Sequence, residues 1–163
     1  LNHNFLCSAL RCFIMTTKKI YKPKTDAEFL NQLAFIRFVS GFRYGIVDER
    51  WPDIRKAFHQ FSIPKVATAK PATILKTKNM IKNSRKIDDI ITNAKICKEI
   101  AKEHGSVLKW VDGIKKEQKK DPLLGPVLEE EFQRFKGIGK VTAGWITTLH
   151  MAKGDHLTYD LPG

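Results

Sequence analysis

The sequence lacks the features of a disulfide-rich secreted domain or a membrane-spanning protein. Its 163 residues include only three cysteines, Cys7, Cys12 and Cys97, which show neither CxxC nor Cys/His zinc spacing. No apolar run reaches the roughly 18 residues needed to cross a bilayer. We therefore expect a reducing, intracellular setting and no membrane partner.

Acidic residues are absent from residues 54–87, which carry nine Lys and Arg side chains. The whole chain has 29 basic and 17 acidic residues, a formal charge of +12. Residues 1–53 contribute +3 of this surplus and residues 88–163 contribute none. A solvated surface usually mixes both signs. The pattern favours nucleic acid as the partner, with an anionic membrane or an acidic protein as alternatives.

A strand-like alternation of apolar and polar residues is also missing, whereas helical spacing recurs along the chain. With 42% apolar residues, the chain suits one hydrophobic core. We therefore predict an all-α domain of about seven or eight helices.

Capping residues, prolines and glycines predict where the helices begin and end. The predicted helices are one from the Thr25–Glu28 capping box toward Gly41, one from Trp51-Pro52, one from Ser84 to a C-cap at His104-Gly105, a short one from Ser106, one over Val127–Phe135 and one over Lys140–Ala152. Residues 62–78 predict two proline-marked turns, and the polar residues 112–125 predict a surface loop.

The sequence is unusual at both ends of the chain. Met15 precedes TTKKIYKPKTDAEF, an ordinary-looking start, so we expect residues 1–14 to be a non-native or disordered extension. The final Asp-Leu-Pro-Gly follows a turn-like sequence without a closing helix. We therefore expect residues 15–163 to hold one domain that is truncated at its C-terminus.

Two glycines flank one apolar residue in Gly137-Ile138-Gly139, between two predicted helices. Glycine permits a tight turn, and the N-terminus of the following helix attracts phosphate oxygens. A lone GxG more often marks only a helix C-cap and a turn. Lysines on both sides and a nearby threonine favour a DNA-backbone site here, with contacts from Lys136, Gly137, Gly139, Lys140 and Thr142.

This hairpin resembles the helix-hairpin-helix element that binds DNA backbones. The chain as a whole resembles the helix-hairpin-helix DNA glycosylase superfamily, and within it the 3-methyladenine DNA glycosylase I family. Besides the hairpin, the segments that carry the resemblance are Ser40–Tyr44 (SGFRY, similar to AGLSW), Arg50–Phe58 (RWPDIRKAF, similar to KR-x-x-[FY]-R-x-AF), Met80–Ile87 (MIKNSRKI, similar to I-x-RNR-x-KI) and Asn93-Ala94. The resemblance implies a helical-bundle glycosylase domain that releases damaged, alkylated bases from duplex DNA.

The chain departs from this family at two places. Ile36, followed by Arg37, matches a glutamate that contacts the methylated base in the family. The family's zinc site uses Cys-Gly-Trp and a C-terminal His and Cys, which this sequence does not contain. From this departure we predict no zinc, and we expect no iron–sulfur cluster. The resemblance of the hairpin implies at most a monovalent cation held by its carbonyls.

The resemblance implies a catalytic carboxylate about twenty residues past the second hairpin glycine. Asp160 lies 21 residues after Gly139, and Asp155, at 16 residues, is the weaker candidate. Breaking an N-glycosidic bond develops positive charge on the sugar, which a carboxylate stabilises while it activates water. The alternative is that Asp160 is a turn residue before Pro162.

Superfamily members that also cleave the backbone carry a lysine nucleophile two positions after the second glycine. Val141 occupies that position, and a helix would turn Lys140 about 100° away from it. The resemblance therefore implies a monofunctional, water-using glycosylase without lyase activity.

A base that leaves the duplex needs an aromatic pocket. Phe42 and Tyr44 lie in the segment that the resemblance implies for this pocket, and Tyr44 would add a cation–π contact to a cationic base. Trp145 is a third candidate, although Trp51 and Trp145 also suit ordinary core positions. The histidines without ligand spacing, which we expect at the surface or at helix caps, are His59, His104, His150 and His156.

The basic stretch of residues 54–87 is expected to lie on the DNA backbone beside the pocket, through Lys76, Lys78 and Lys82. The expected partner is double-stranded DNA, bound by a monomer in the cytoplasm, on the nucleoid, or in a eukaryotic nucleus. Two alternatives stay open: a non-catalytic helix-hairpin-helix module that binds duplex DNA, and a basic protein-interaction domain.

Overall fold

The computed structural model of the chain describes residues 16–121, 123 and 125–161, and the side chains within 19–158 of these ranges. The predicted extension, residues 1–14, lies outside the described residues and stays a prediction. The chain divides into two compact units. The main unit is residues 23–148, and the terminal unit is residues 1–22 with residues 149–163.

Helices are the main secondary structure of the described chain, which confirms the predicted all-α class. In chain order they are α1 (Asp26–Val39), α2 (Tyr44–Ala57), a 3₁₀ turn (His59–Phe61), α3 (Ile63–Ala67), α4 (Pro71–Leu75), α5 (Ser84–His104), α6 (Val107–Lys120), α7 (Val127–Phe132) and α8 (Lys140–Met151).

Helix α5 is the central element of the main unit, because α1, α3, α4 and α6 all pack against it. Its buried apolar residues recur at three- and four-residue steps, as the sequence spacing predicts: Ile87, Ile90, Ile91, Ala94, Cys97 and Ile100. Burying one large aliphatic side chain contributes roughly 1.5–3 kcal/mol. This stripe therefore makes α5 the frame on which the other helices are placed.

Aromatic rings join α1 to the later helices and to the start of the hairpin. The ring centroid of Phe29 lies 5.6 Å from that of Phe135 and 6.1 Å from that of Phe132. The Trp110 ring lies 6.2 and 6.3 Å from the same two phenylalanines. The hairpin after Phe135 therefore starts from the packed core of the main unit.

Several predicted helix ends are confirmed by their capping bonds. The Glu28 N–H donates to Thr25 Oγ1 over 3.1 Å, at the start of α1. Gly105 ends α5 with φ 85°, and the Lys109 N–H donates to Ser106 Oγ over 3.0 Å at the start of α6.

Other predicted boundaries are wrong. Helix α2 begins at Tyr44, and Pro52, predicted near a helix start, lies inside it. A proline inside a helix costs about 3 kcal/mol, but the buried Val47 and Ile54 hold α2 in the core on both sides of it. Two short helices, α3 and α4, replace the turns expected over residues 62–78.

The loop expected over residues 112–125 is also wrong for its first part, because α6 continues to Lys120. The partly buried Ile114, Lys115 and Gln118 extend the buried face of Val111 at helical spacing. A lysine can cover apolar surface with its methylene stem while the ammonium reaches water. The many charged residues of this segment suggested a loop, although it forms the second half of an amphipathic helix.

The terminal unit contains a two-stranded antiparallel sheet that the sequence pattern did not predict. Strand β1 (Thr16–Tyr21) pairs with β2 (His156–Leu161), from Thr16 opposite Leu161 to Tyr21 opposite His156. The Lys22 N–H donates to the Asp155 carbonyl over 2.7 Å and extends the ladder. Each strand is only six residues long and depends on a partner at the other end of the chain.

Candidate nucleic-acid interface

The hairpin after Phe135 has the tight turn that its two glycines predict. Gly137 has φ 75°, and a Cβ at this position would clash with the side chain of Arg37. Ile138 is buried and anchors the turn in the core. Gly139 differs, because a Cβ there would meet no atom within 4 Å. The fold therefore requires the first glycine and leaves open space beside the second.

Asn93 of α5 fixes the hairpin through both ends of its side-chain amide. The Lys136 N–H donates to Asn93 Oδ1 over 2.7 Å, and Asn93 Nδ2 donates to the Lys136 carbonyl over 3.1 Å. Asn93 itself is only 1% exposed. In the sequence, Asn93 stands out only as one position of the family resemblance, which does not reveal this role.

Helix α8 begins directly after the turn, where the Ala143 N–H donates to the Gly139 carbonyl over 2.8 Å. Lys136 and Lys140 are exposed, and Thr142 is half-buried in the first turn of α8. The structure thus places the five predicted hairpin contacts around one turn and one helix N-terminus.

Three of the hairpin carbonyls accept hydrogen bonds from the chain itself. Those of Phe135, Lys136 and Gly139 accept from Ile138, Asn93 and Ala143, respectively. These bonds do not involve the carbonyls of Gly137 and Ile138. Carbonyl oxygens are ligands for a hard monovalent cation, so these two carbonyls are the candidates for the cation that the resemblance implies.

Arg37 joins α1 to α5 and to the hairpin. Its Nε and Nη2 atoms each lie 2.8 Å from Asp89 Oδ2, and the two side chains are 13% and 18% exposed. The adjacent Ile36 is buried. The position that matches the family's base-contacting glutamate therefore holds an aliphatic side chain in the core.

The segment predicted for the base pocket connects α1 to α2. Gly41 has φ 118°, which favours glycine, and Phe42 follows with a half-buried ring. Tyr44 is the first residue of α2, and its ring packs edge-on against Phe35 at 5.5 Å. Trp51 also packs edge-on against Phe35, at 4.9 Å, in keeping with its predicted core position.

Lys86 lies beneath this segment, and in the sequence it is only one position of the segment Met80–Ile87 that carries the resemblance. Its ammonium donates to the carbonyls of Arg37 over 2.7 Å and of Ser40 over 2.6 Å, and lies 5.4 Å from the Phe42 ring centroid. Burial lowers the pKa of Lys86, Arg37 lowers it further, and Asp89 acts in the opposite direction. The available signal was its spacing, four residues before Ile90 on the buried face of α5.

The other basic residues of the stretch 54–87 are all exposed: Arg55, Lys56, Lys65, Lys70, Lys76, Lys78, Lys82 and Arg85. Lys56 Nζ lies 3.9 Å from Asp53 Oδ1. An exposed pair of this kind contributes only about 0–1 kcal/mol. The exposed charged side chains of the stretch itself are therefore all basic, and this pair with Asp53 offsets little of their charge.

Two further site predictions concern α8. Trp145 is half-buried there, and Val141 is 89% exposed next to the hairpin.

The histidine prediction is wrong for His150, which is buried. It lies on the same helical face as the buried Ile146, one turn earlier, so its position on α8 places it on the buried face of that helix.

Asp160 lies in strand β2, paired with Thr17, and not in the turn that the alternative interpretation requires. Its side chain lies outside the described part of the structure, so its catalytic role stays a prediction.

In the described ranges, no group of three His, Cys, Asp or Glu side chains could hold a metal ion. Within the same ranges, no helix is long and apolar enough to cross a membrane.

Two surface cavities of the main unit, of about 470 and 400 Å³, share Gln60 as a lining residue. The larger is also lined by His59 and Lys98, and the smaller by Trp51. Neither is lined by Phe42 or Tyr44, so these two cavities are distinct from the predicted base pocket.

Comparison with known proteins gives one family and several similar folds. A family model described as methyladenine glycosylase matches residues 21–125. A search of curated proteins gives no significant match.

Three similar solved structures are all of 3-methyladenine DNA glycosylase I. A variant from Staphylococcus aureus matches with TM-score 0.50 and 19% identity over 53% of this chain and 48% of that one. A second variant, in complex with 3-methyladenine, matches with TM-score 0.51 and 18% identity over 56% and 52%. A third structure matches with TM-score 0.62 and 19% identity over 78% and 79%. The chain spans about half the length of the first two, and at this identity the likeness shows a shared fold.

Proposed function

Because the chain belongs to the methyladenine glycosylase family, we propose that it hydrolyses the N-glycosidic bond of alkylated, 3-methyladenine-type bases in double-stranded DNA. The match over residues 21–125 carries the proposal, since it spans the α1–α2 connection and all of α5. The solved relative in complex with 3-methyladenine supports this class of base.

The hairpin is the proposed contact to the DNA backbone. Gly139 is not required by a positive φ or by a neighbouring side chain, but open space beside it allows a phosphate to approach the backbone. The N–H groups at the start of α8 and the exposed Lys136 and Lys140 favour an anion there. The carbonyls of Gly137 and Ile138 are the proposed ligands of a monovalent cation.

Phe42 and Tyr44 are the proposed stacking residues, with Trp145 as a further candidate. Stacking of a base on an aromatic side chain is worth roughly 1–3 kcal/mol. A cationic alkylated base gains an additional cation–π attraction, which an unmodified base does not. Stacking alone can therefore contribute to the choice of damaged over normal bases.

Asp160 is the proposed carboxylate that stabilises the positive sugar and activates water, on the strength of its distance in sequence from Gly139. Val141 supports hydrolysis without lyase chemistry, because a valine at the lysine position cannot form a Schiff base. Borohydride should therefore trap no covalent complex with DNA.

The test is release of free base from methylated duplex DNA by the full chain, analysed by mass spectrometry. We expect release of 3-methyladenine and heat-labile abasic sites. Asp160→Asn should lower the rate at least about 100-fold, whereas the matched variant Asp155→Asn should keep it. Equal rates for the two variants would exclude the proposed role of Asp160.

A second candidate is a non-catalytic module that binds duplex DNA. The buried Ile36 favours it, because an aliphatic side chain cannot make the hydrogen bond expected from the family's glutamate. This candidate predicts duplex binding with steep salt dependence and no base release from any methylated substrate. The same assay, combined with a binding titration, separates the two.

A further inference from the structure

Lys86 satisfies the end of α1 from a different helix. The last carbonyls of a helix have no helical donor of their own. At the end of α1, the Lys86 ammonium donates to the carbonyls of Arg37 and Ser40. A cation is also favoured at the negative end of a helix dipole. Lys86 of α5 therefore closes the helix that leads into the proposed pocket segment.

The same ammonium contacts the residues that follow. The ammonium lies beside Gly41, where a Cβ would be 3.6 Å from Lys86 Nζ, an ordinary van der Waals distance. The ring of Phe42 lies over the ammonium at 5.4 Å. One cation thus binds Ser40 and Phe42 on the two sides of Gly41, directly before α2 begins at Tyr44.

An ion pair does not account for the position of Lys86. Asp89, the acidic residue that acts on it, has a 2.8 Å bond to Arg37. Desolvation of an ammonium is costly unless hydrogen bonds replace its water. Here the replacement bonds go to main-chain carbonyls of the connection between α1 and α2.

We infer that Lys86 is a positioning residue for base excision, which holds Phe42 and Tyr44 in the placement required for stacking on the base. The inference rests on the proposed function. Lys86 acts through the backbone of residues 37–44 and not on the base itself. Loss of the ammonium should therefore affect the chemical step more than the binding of DNA.

The first test compares Lys86→Met with Lys95→Met, an exposed lysine of the same helix. Lys86→Met should lower the single-turnover rate of 3-methyladenine release roughly 10- to 100-fold, because small misplacements in a site have effects of this size. Its Kd for undamaged duplex should stay within about twofold of the wild-type value, because the hairpin and basic stretch are unchanged. Lys95→Met should keep both values.

The second test asks whether an added cation restores the function. Lys86→Ala leaves room for propylammonium, which matches the missing part of the side chain. Propylammonium should raise the single-turnover rate of this variant several-fold, whereas tetramethylammonium, which has no N–H to donate, should not. A wild-type rate in Lys86→Met, a parallel loss of duplex affinity, or no rescue would each overturn the inference. So would unfolded variants by circular dichroism, because Lys86 would then be needed for the fold.

A structural readout separates this inference from the proposed function. Amide NMR shifts of Gly41 and Phe42 in the wild type should change as pH rises through the pKa of Lys86, and should not do so in Lys86→Met. Arg37 and Asp89 are the charged groups facing Lys86. If these shifts appear but the wild type releases no base, the proposed function fails while Lys86 still positions the segment. If they do not appear, the inference itself fails.

Discussion

Single residues decide how the hairpin and the pocket segment meet the core. Gly137 turns the chain with a positive φ and leaves space for Arg37, which is held by Asp89. Lys86 provides the equivalent support beneath Gly41 and Phe42. Substitution of each residue should therefore change the free energy of unfolding or the function in a way that can be measured separately.

We expect Gly137→Ala to destabilise the protein by about 1–3 kcal/mol, because alanine is strained at φ 75° and would clash with Arg37. Urea unfolding measures the change. Gly139→Ala is the matched control, with no positive φ and open space around its Cβ. It should change the free energy of unfolding by less than about 0.5 kcal/mol and still weaken duplex binding. Equal destabilisation by both variants would contradict this difference.

The pKa of Lys86 predicts a dependence of stability on pH. Burial lowers the pKa of Lys86 in the folded protein below its ordinary value of 10.5. Between the two pKa values the unfolded chain binds more protons, so this group makes the free energy of unfolding rise with pH in that window. The difference in unfolding free energy between wild type and Lys86→Met should therefore shift in favour of the wild type as pH approaches 10.5. A difference that is constant with pH would contradict the lowered pKa.

At the scale of elements, α5 is a common support for two functional segments. Near its start, Lys86 holds the α1–α2 connection, and two turns later Asn93 holds the hairpin. Between them, Asp89 fixes Arg37 of α1. The relative placement of the pocket segment and the hairpin therefore depends on the rigidity of one buried helix.

Removal of the Asn93 amide should release the hairpin from α5. We expect Asn93→Ala to destabilise the protein by about 2–4 kcal/mol, because two hydrogen bonds are lost and the part-buried backbone N–H and carbonyl of Lys136 lose their partner. Asn93→Asp retains an acceptor for the Lys136 N–H but loses the donor to its carbonyl. It should therefore weaken duplex binding less than Asn93→Ala does, as measured by fluorescence anisotropy. The opposite order would contradict the two-bond arrangement.

At the scale of the whole molecule, the charge is concentrated where the structure leaves it exposed. Eight of the nine basic residues of the stretch 54–87 are exposed, and the ninth is Lys86. Such a surface attracts a polyanion through the release of counterions. The stretch supplies +9 of the net charge of +12, whereas the last 76 residues are neutral overall.

We expect the variant Lys76→Gln/Lys78→Gln/Lys82→Gln to bind duplex DNA more weakly and with a flatter salt dependence. Each lost phosphate contact should lower the slope of log K against log salt by about 0.9. The control removes the same charge from the exposed lysines of α6, as Lys116→Gln/Lys119→Gln/Lys120→Gln. If both triple variants change the slope equally, binding follows net charge alone and the stretch has no special contact.

Local patterns in the sequence by themselves determined a large part of this protein. The all-α class, the stripe of α5, the Thr25 and Ser106 caps and the hairpin turn all depend on residues that are close in sequence. The positive charge of residues 54–87 can also be read directly from the sequence, because it depends only on composition. Helical spacing and capping act over three or four residues, so the chain displays them directly.

Only the tertiary structure decided which polar residues are buried and what they hold. Lys86 meets Ser40 from 46 residues away, and Asn93 meets Lys136 from 43 residues away. Strands β1 and β2 pair across almost the whole chain, and packing of Val47 and Ile54 keeps Pro52 inside a helix. These contacts form because distant polar groups satisfy each other when the core excludes water, which no local pattern records.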